Sequence, residues 1–253
     1  MKGLAALLKK ELKEQWHTKR IIIVVGAFLF FGFTMPLMTK CMPEILEMAE
    51  ADGSSFNLPP PTAVQSLGSY ASNIMQIGSL VIILVTMGAV AKERESGTAA
   101  LVLTKPVGHS AFVAAKFLAL SLTATLSILL GGLACCGYTF ILFGSTPACG
   151  FFLQNTLLLV YLLLAIAVTL SFSSFFRSQL AAGALGLVTI VILGLASSLP
   201  WVGEYLPGEL ISWGHRLISD GPADHAVMAI ATTLVLIVLS LYLAWTILKK
   251  KEI

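Results

Sequence analysis

The chain has 253 residues, of which 57% are hydrophobic and 11% charged, against about a quarter charged in soluble domains. That balance excludes an ordinary soluble domain, and several continuously apolar runs reach the ~20 residues that cross a hydrocarbon core as a helix. The runs do not alternate, which excludes a transmembrane β-barrel, and a net charge of +3 marks no nucleic-acid surface.

The chain opens on a basic stretch, 1–20, in which Leu4–Trp16 reads as an amphipathic helix. Leu4, Leu7, Leu8, Leu12 and Trp16 fall on one side, Lys9, Lys10, Lys13 and Glu14 on the other, and Glu11 at the edge of the apolar face. Such a helix lies along a membrane surface, with its lysines near anionic headgroups. The apolar run Ile21–Met38 is longer than a signal-peptide core and is followed by no small-x-small cleavage site, so it reads as a retained first span. The loop Thr39–Ser69 carries Glu44, Glu47, Glu50, Asp52 and three consecutive prolines, Pro59–Pro61, with Ile45, Leu46, Met48 and Ala49 forming one face of a short surface helix. Span two is Tyr70–Val90. A charged segment, 91–107, follows it.

Span three lies within Phe112–Phe143, a run long enough that its first turns protrude and Lys116 snorkels to the interface. Gly144–Gly150 links it to span four, Phe151–Phe176. Arg177, Ser178 and Gln179 make a tight turn into span five, Leu180–Val202. In the polar segment 203–225, Leu210, Ile211, Trp213, Leu217 and Ile218 repeat at helical spacing until Asp220–Gly221–Pro222, which predicts a short helix at the outer interface. Span six is Ala226–Leu248, and the chain ends in Lys249–Lys250–Lys251–Glu252–Ile253. The expected fold is therefore an all-α polytopic membrane protein, one domain over 1–253 with six spans.

Six spans place both termini on one side. If the tails, the segment after span two with Lys116, and the turn at Arg177 are cytoplasmic, then of the 16 basic residues only Lys40 and Arg216 lie outside. The expected location is the cell membrane, with both termini and 91–107 cytoplasmic.

Lys116 is the one ionisable residue within a span, and it lies near the inner end. Ion-coupled carriers need intramembrane acids, bases or histidines, so the energy for any transport enters from elsewhere. No H-E-x-x-H, Gly-x-Ser-x-Gly or Walker G-x-x-x-x-G-K-[ST] occurs; the expectation is no enzyme, no cofactor on this chain, and ATP on a partner. Asn73 and Gln76, three residues apart in span two, read either as helix-packing glue or as the lining of a substrate path. Met35, Met38, Cys41, Met42 and Met48 suit packing or a soft metal, and His215, His225, Asp220 and Asp224 suit a solvated loop or a harder one. Cys135 and Cys136 read as inert buried thiols, whereas Cys41 and Cys149 both fall outside, where a disulfide is open to them.

The segment 91–107 is chemically dense for a mere link between spans. Thr98 is placed to cap a short helix over Ala99–Thr104, and Pro106 biases Lys105 out of it. Leu101, Val102 and Leu103 are then presented among charges, or else lie back on the bilayer in a plain soluble turn. Glu93 and Glu95 are expected to orient the segment through exposed contacts, with Lys92 and Arg94 or with a partner.

Lys92–Thr98 followed by Leu101–Val107 resembles the loop after the second span of type-2 ABC exporter permeases: an acidic stretch with Gly-Thr, a short helix, then T-x-P. The surface helix, six spans, first outer loop and hairpin before the last span agree with that family. The resemblance implies a permease that pairs with a second copy or paralogue and with two ABC ATPase subunits, docked through Glu93, Glu95, Gly97, Thr98, Leu101, Leu103 and Pro106, among membrane lipids. The competing reading is a membrane scaffold or assembly factor that transports nothing.

Overall fold

The computed structural model describes residues 3–49, 60–95, 108–219 and 226–250. Among them the secondary structure is helical throughout, and six helices or helix runs are long and apolar enough to cross a membrane. Helix α1 is Leu4–His17 and α2 is Arg20–Ala49. Span two is assembled from α3 (Ala63–Asn73), a π-helical turn (Ile74–Gly78), α4 (Ser79–Thr86) and α5 (Gly88–Glu95). Then come α6 (His109–Phe143), α7 (Ala148–Phe175), α8 (Gln179–Ala196), a 3-10 turn (Gly203–Tyr205), α9 (Glu209–Ile218) and α10 (Ala226–Lys250).

Three boundaries depart from the sequence reading. Span one does not stop at Met38: α2 runs on through Pro36 and Pro43 to Ala49, so the expected surface helix at 45–49 is its last part. Span two begins earlier, at Ala63, where the Thr62 hydroxyl accepts from the Gln65 N–H. Span five ends earlier, at Ala196: the Ser197 hydroxyl donates to the Leu193 carbonyl and accepts from the Gly208 N–H, reversing the chain.

Helix α7 is the central post. Its Leu158, Leu162, Leu164, Ile166 and Leu170 are fully buried, and α4, α5, α6, α8, α9 and α10 all pack on it. Helices α2 and α6 form the most extensive pair, and their backbones meet at two glycines. A Cβ at Gly32 would stand 2.6 Å from the Gly131 carbonyl oxygen, and one at Gly131 would stand 2.8 Å from both the Phe28 carbonyl oxygen and the Tyr70 hydroxyl. Small residues at such a crossing let membrane helices approach closely. Gly131→Ala is therefore expected to destabilise the bundle by about 1–3 kcal/mol, the usual cost of overpacking, read as a lowered unfolding midpoint in detergent; an unchanged midpoint would show that the crossing yields freely.

Helix α9 closes the opposite end of the bundle from α1. Its Leu210, Ile211, Gly214 and Ile218 are buried against α3 and α7, as the spacing of the apolar residues predicts.

Candidate functional site

The charged stretch after span two is not loop from Ala91 onward. It continues the helix as α5 to Glu95, because successive charges on a helix point in different directions and each finds its own partner here. Glu93 lies 3.0 Å from the Lys116 ammonium of α6 and 3.2 Å from that of Lys10 in α1. Arg94 donates to the Ser174 carbonyl at 2.6 Å and the Phe175 carbonyl at 3.4 Å, satisfying carbonyls that the end of α7 leaves without helical partners. Glu95 accepts from the Gln179 amide at 3.2 Å, at the first residue of α8.

Helix α5 is also pinned at its start. The helix breaks at Met87, and the Ser173 hydroxyl of α7 bridges the break. It accepts from the Val90 and Ala91 N–H groups at 3.1 and 3.0 Å, and donates to the Met87 carbonyl at 2.8 Å.

Lys116 does not snorkel. Its side chain is 2% exposed and its ammonium sits 3.1 Å from each carboxylate oxygen of Glu11, with the Phe112 ring 4.9 Å away. Two carboxylates from neighbouring helices satisfy it in place, which removes the need to reach water. Glu11 in turn is buried: Leu7, Glu11 and Gln15 face the bundle, and Trp16 is 62% exposed. Two turns beyond Lys116, the Thr123 hydroxyl donates to Gln15 at 2.5 Å. Hydrogen bonds to α6 thus decide which side of α1 turns inward, ahead of its leucines. Burial works against the charge of Lys10, and the carboxylates of Glu93, Glu11 and Glu14 outweigh it, raising its pKa above the usual lysine value.

The carboxylates of Glu11, Glu14 and Glu93 come within 4.8 Å of one another, a spacing that would suit a metal. The ammonium groups of Lys10 and Lys116 already stand among them, so the group is an ion-pair network. It ties together the two helices between which 96–107 runs. Gly97, Thr98, Leu101, Leu103 and Pro106 lie in that segment, outside the described residues.

Glu93 and Glu95 thus find partners other than Lys92 and Arg94 among the contacts seen here. Glu93 is 12% exposed at its side chain, so its contacts are not the exposed ones the sequence suggests. Lys116, Glu11, Gln15 and Ser173 do not stand out as a site in the sequence. The signal available was a pair of misplaced opposite charges, a lysine inside a span and a glutamate on the apolar edge of a surface helix.

Asn73 and Gln76 are not brought together. Asn73 donates to the Ser69 carbonyl at 2.9 Å and the Met35 sulfur at 3.1 Å. Gln76 is exposed on the bundle surface, because it lies within the wider π turn that begins after Asn73 and breaks the helical register. Met35 is thereby engaged in packing. Cys41 and Cys149 are free thiols. His215 stands 3.3 Å from the Ser72 hydroxyl, and burial lowers its pKa; Asp220, Asp224 and His225 lie outside the described residues.

Residues 5–206 match the model of the ABC-2 family transporter proteins. The chain belongs to the ABC-2 transporter family. It is 29% identical over 224 residues to the uncharacterized transmembrane protein YxlG of Bacillus subtilis, covering 87% of each chain. It is 33% identical over 177 residues to the probable ABC transporter permease protein NosY of Pseudomonas aeruginosa, covering 65% of this chain and 61% of that one. An ABC-2 protein of this kind is a transmembrane transporter subunit, and six apolar helices make it a multi-pass membrane protein.

Proposed function

We propose that this ABC-2 chain is the permease subunit of an ATP-driven exporter, docked to a separate ATPase through 91–107. One observation carries the reading: α5 is braced to α1, α6, α7 and α8 at one end of the bundle. A segment that only turned the chain around would need no such frame. A segment that receives a push would. The basic tails and the turn at Arg177 support a cytoplasmic α1 end.

A second permease completes the pathway. Gln76 is exposed among the exposed Ile77, Leu80 and Leu84 of span two, and α8, which packs on α4, exposes Val188, Val191 and Ile192. An amide facing lipid is unfavourable, whereas two copies can pair theirs. Gln76→Cys in a background without native cysteines is expected to form a disulfide-linked dimer in membranes; a chain that stays monomeric under oxidation contradicts this face.

Purifying the tagged chain from its native membrane tests the whole reading. The expected result is an ATPase bearing a Walker sequence, retained with the permease and releasing phosphate from ATP. A permease recovered in the intact state without any ATPase supports a non-transporting membrane scaffold.

A further inference from the structure

Helix α1 buries Glu11 and Gln15, although its apolar residues would serve better if stability alone were at stake. Taking an ion pair out of water costs several kcal/mol per ion, and well-packed apolar residues in its place are often neutral or stabilising. The network buys little stability for that desolvation. It does fix position. Glu11 holds Lys116, and Gln15 one turn along holds Thr123 two turns along α6, so α1 cannot slide or pivot on α6 without breaking one of the contacts. At its other end α1 runs into α2 through Thr18 and Lys19 alone. The Thr18 hydroxyl donates to the Glu14 carbonyl at 2.8 Å, and Lys19 takes φ 58°. That joint is too short to absorb much displacement.

We propose that the Glu11–Lys116–Glu93 network makes α1 a moving part of the coupling machinery, with Lys116 as the positioning residue at its centre. The inference rests on the ATPase docking proposed above. Displacement of 96–107 reaches α5 and α6, the two helices it joins. Glu93 and Glu11 meet on the Lys116 ammonium, so α1 moves with both, and the short joint hands the motion to α2. Span one is thus driven from the same point as spans two and three, although it is remote from the docking segment in the chain. Among the described residues, Lys10, Glu14 and Lys116 also face this pair.

The test uses the full chain with its ATPase in lipid nanodiscs, without native cysteines. Spin labels replace the exposed Lys13 of α1 and the exposed Val238 of α10. Electron–electron distance measurements are made without nucleotide and after trapping with ATP and vanadate. The wild-type network is expected to show a distance shift on trapping. Glu11→Gln, which leaves Lys116 its Glu93 partner, is expected to lose the shift while ATPase binding and ATP hydrolysis continue. Glu11→Lys combined with Lys116→Glu is expected to restore it. If Glu11→Gln does not fold, Gln15→Leu frees α1 at its second contact and must reduce the shift. A full shift in either single variant, or none with the wild-type network, overturns the inference. Failure of any ATPase to bind the wild-type chain instead overturns the docking reading, and this inference falls with it.

Discussion

Leu101→Asp is expected to abolish ATPase co-purification and ATP-driven transport while leaving membrane insertion unchanged. Leu101 sits in an apolar run flanked by charges, and the proposed docking places it in a groove on the ATPase. Fully burying a leucine is worth about 1.5–3 kcal/mol. Aspartate forfeits that and adds the cost of desolvating an unpaired carboxylate. With a tenfold loss for each 1.4 kcal/mol, the variant should lose at least about a hundredfold in affinity. Insertion depends on the spans, which the substitution does not touch, so the amount and oligomeric state of the chain in the membrane should match the wild type. A variant that retains the ATPase and transports normally would return 96–107 to the role of a solvated turn.

Lys116→Met is expected to have the largest effect on stability. It partly strands the carboxylates of Glu11 and Glu93, both mostly buried, opposite an apolar side chain, with the Lys10 ammonium still beside them. Removing one partner of a buried pair typically costs about 3–5 kcal/mol. Adding Glu11→Leu to Lys116→Met removes one stranded charge, so the double variant should be less destabilised than the two single effects summed. Unfolding midpoints in detergent measure the cycle. Additivity within about 0.5 kcal/mol would mean the two residues act independently. Lys10→Met should cost less than about 1 kcal/mol, because its side chain is 43% exposed and contributes as surface pairs do.

The sequence carries the spans because length and hydropathy are local properties, and the runs around 21–38, 70–90, 112–143, 151–176 and 226–248 all reappear as helices. What it does not carry is how those helices face one another. Leu4, Leu8, Leu12 and Trp16 mark by periodicity the side of α1 that meets a membrane surface, but not that Glu11 and Gln15 meet the bundle, where α6 offers Lys116 and Thr123. Pairings across 105 and 108 residues leave no local trace. The separation of Asn73 from Gln76 is equally invisible, because a π turn depends on tertiary packing and carries no signature in these residue types. The same holds for Ser173: one of several hydroxyls in span four by sequence, it alone bridges the break at Met87. By contrast, the charges of α5 are conspicuous in the sequence, and only their partners are new. Membership of the ABC-2 family agrees with the resemblance carried by 92–107.

On the docking proposed above, an ATPase meets this permease at 96–107. Site-specific photocrosslinking tests it most directly, with a benzophenone amino acid encoded in place of Leu101 in cells that make the whole complex. Irradiation is expected to join this position to a Walker-motif ATPase identified by mass spectrometry, whereas the same amino acid at Val238 does not. Efficient crosslinking of position 101 only to lipid or to the permease itself, with the ATPase present and intact, would contradict it.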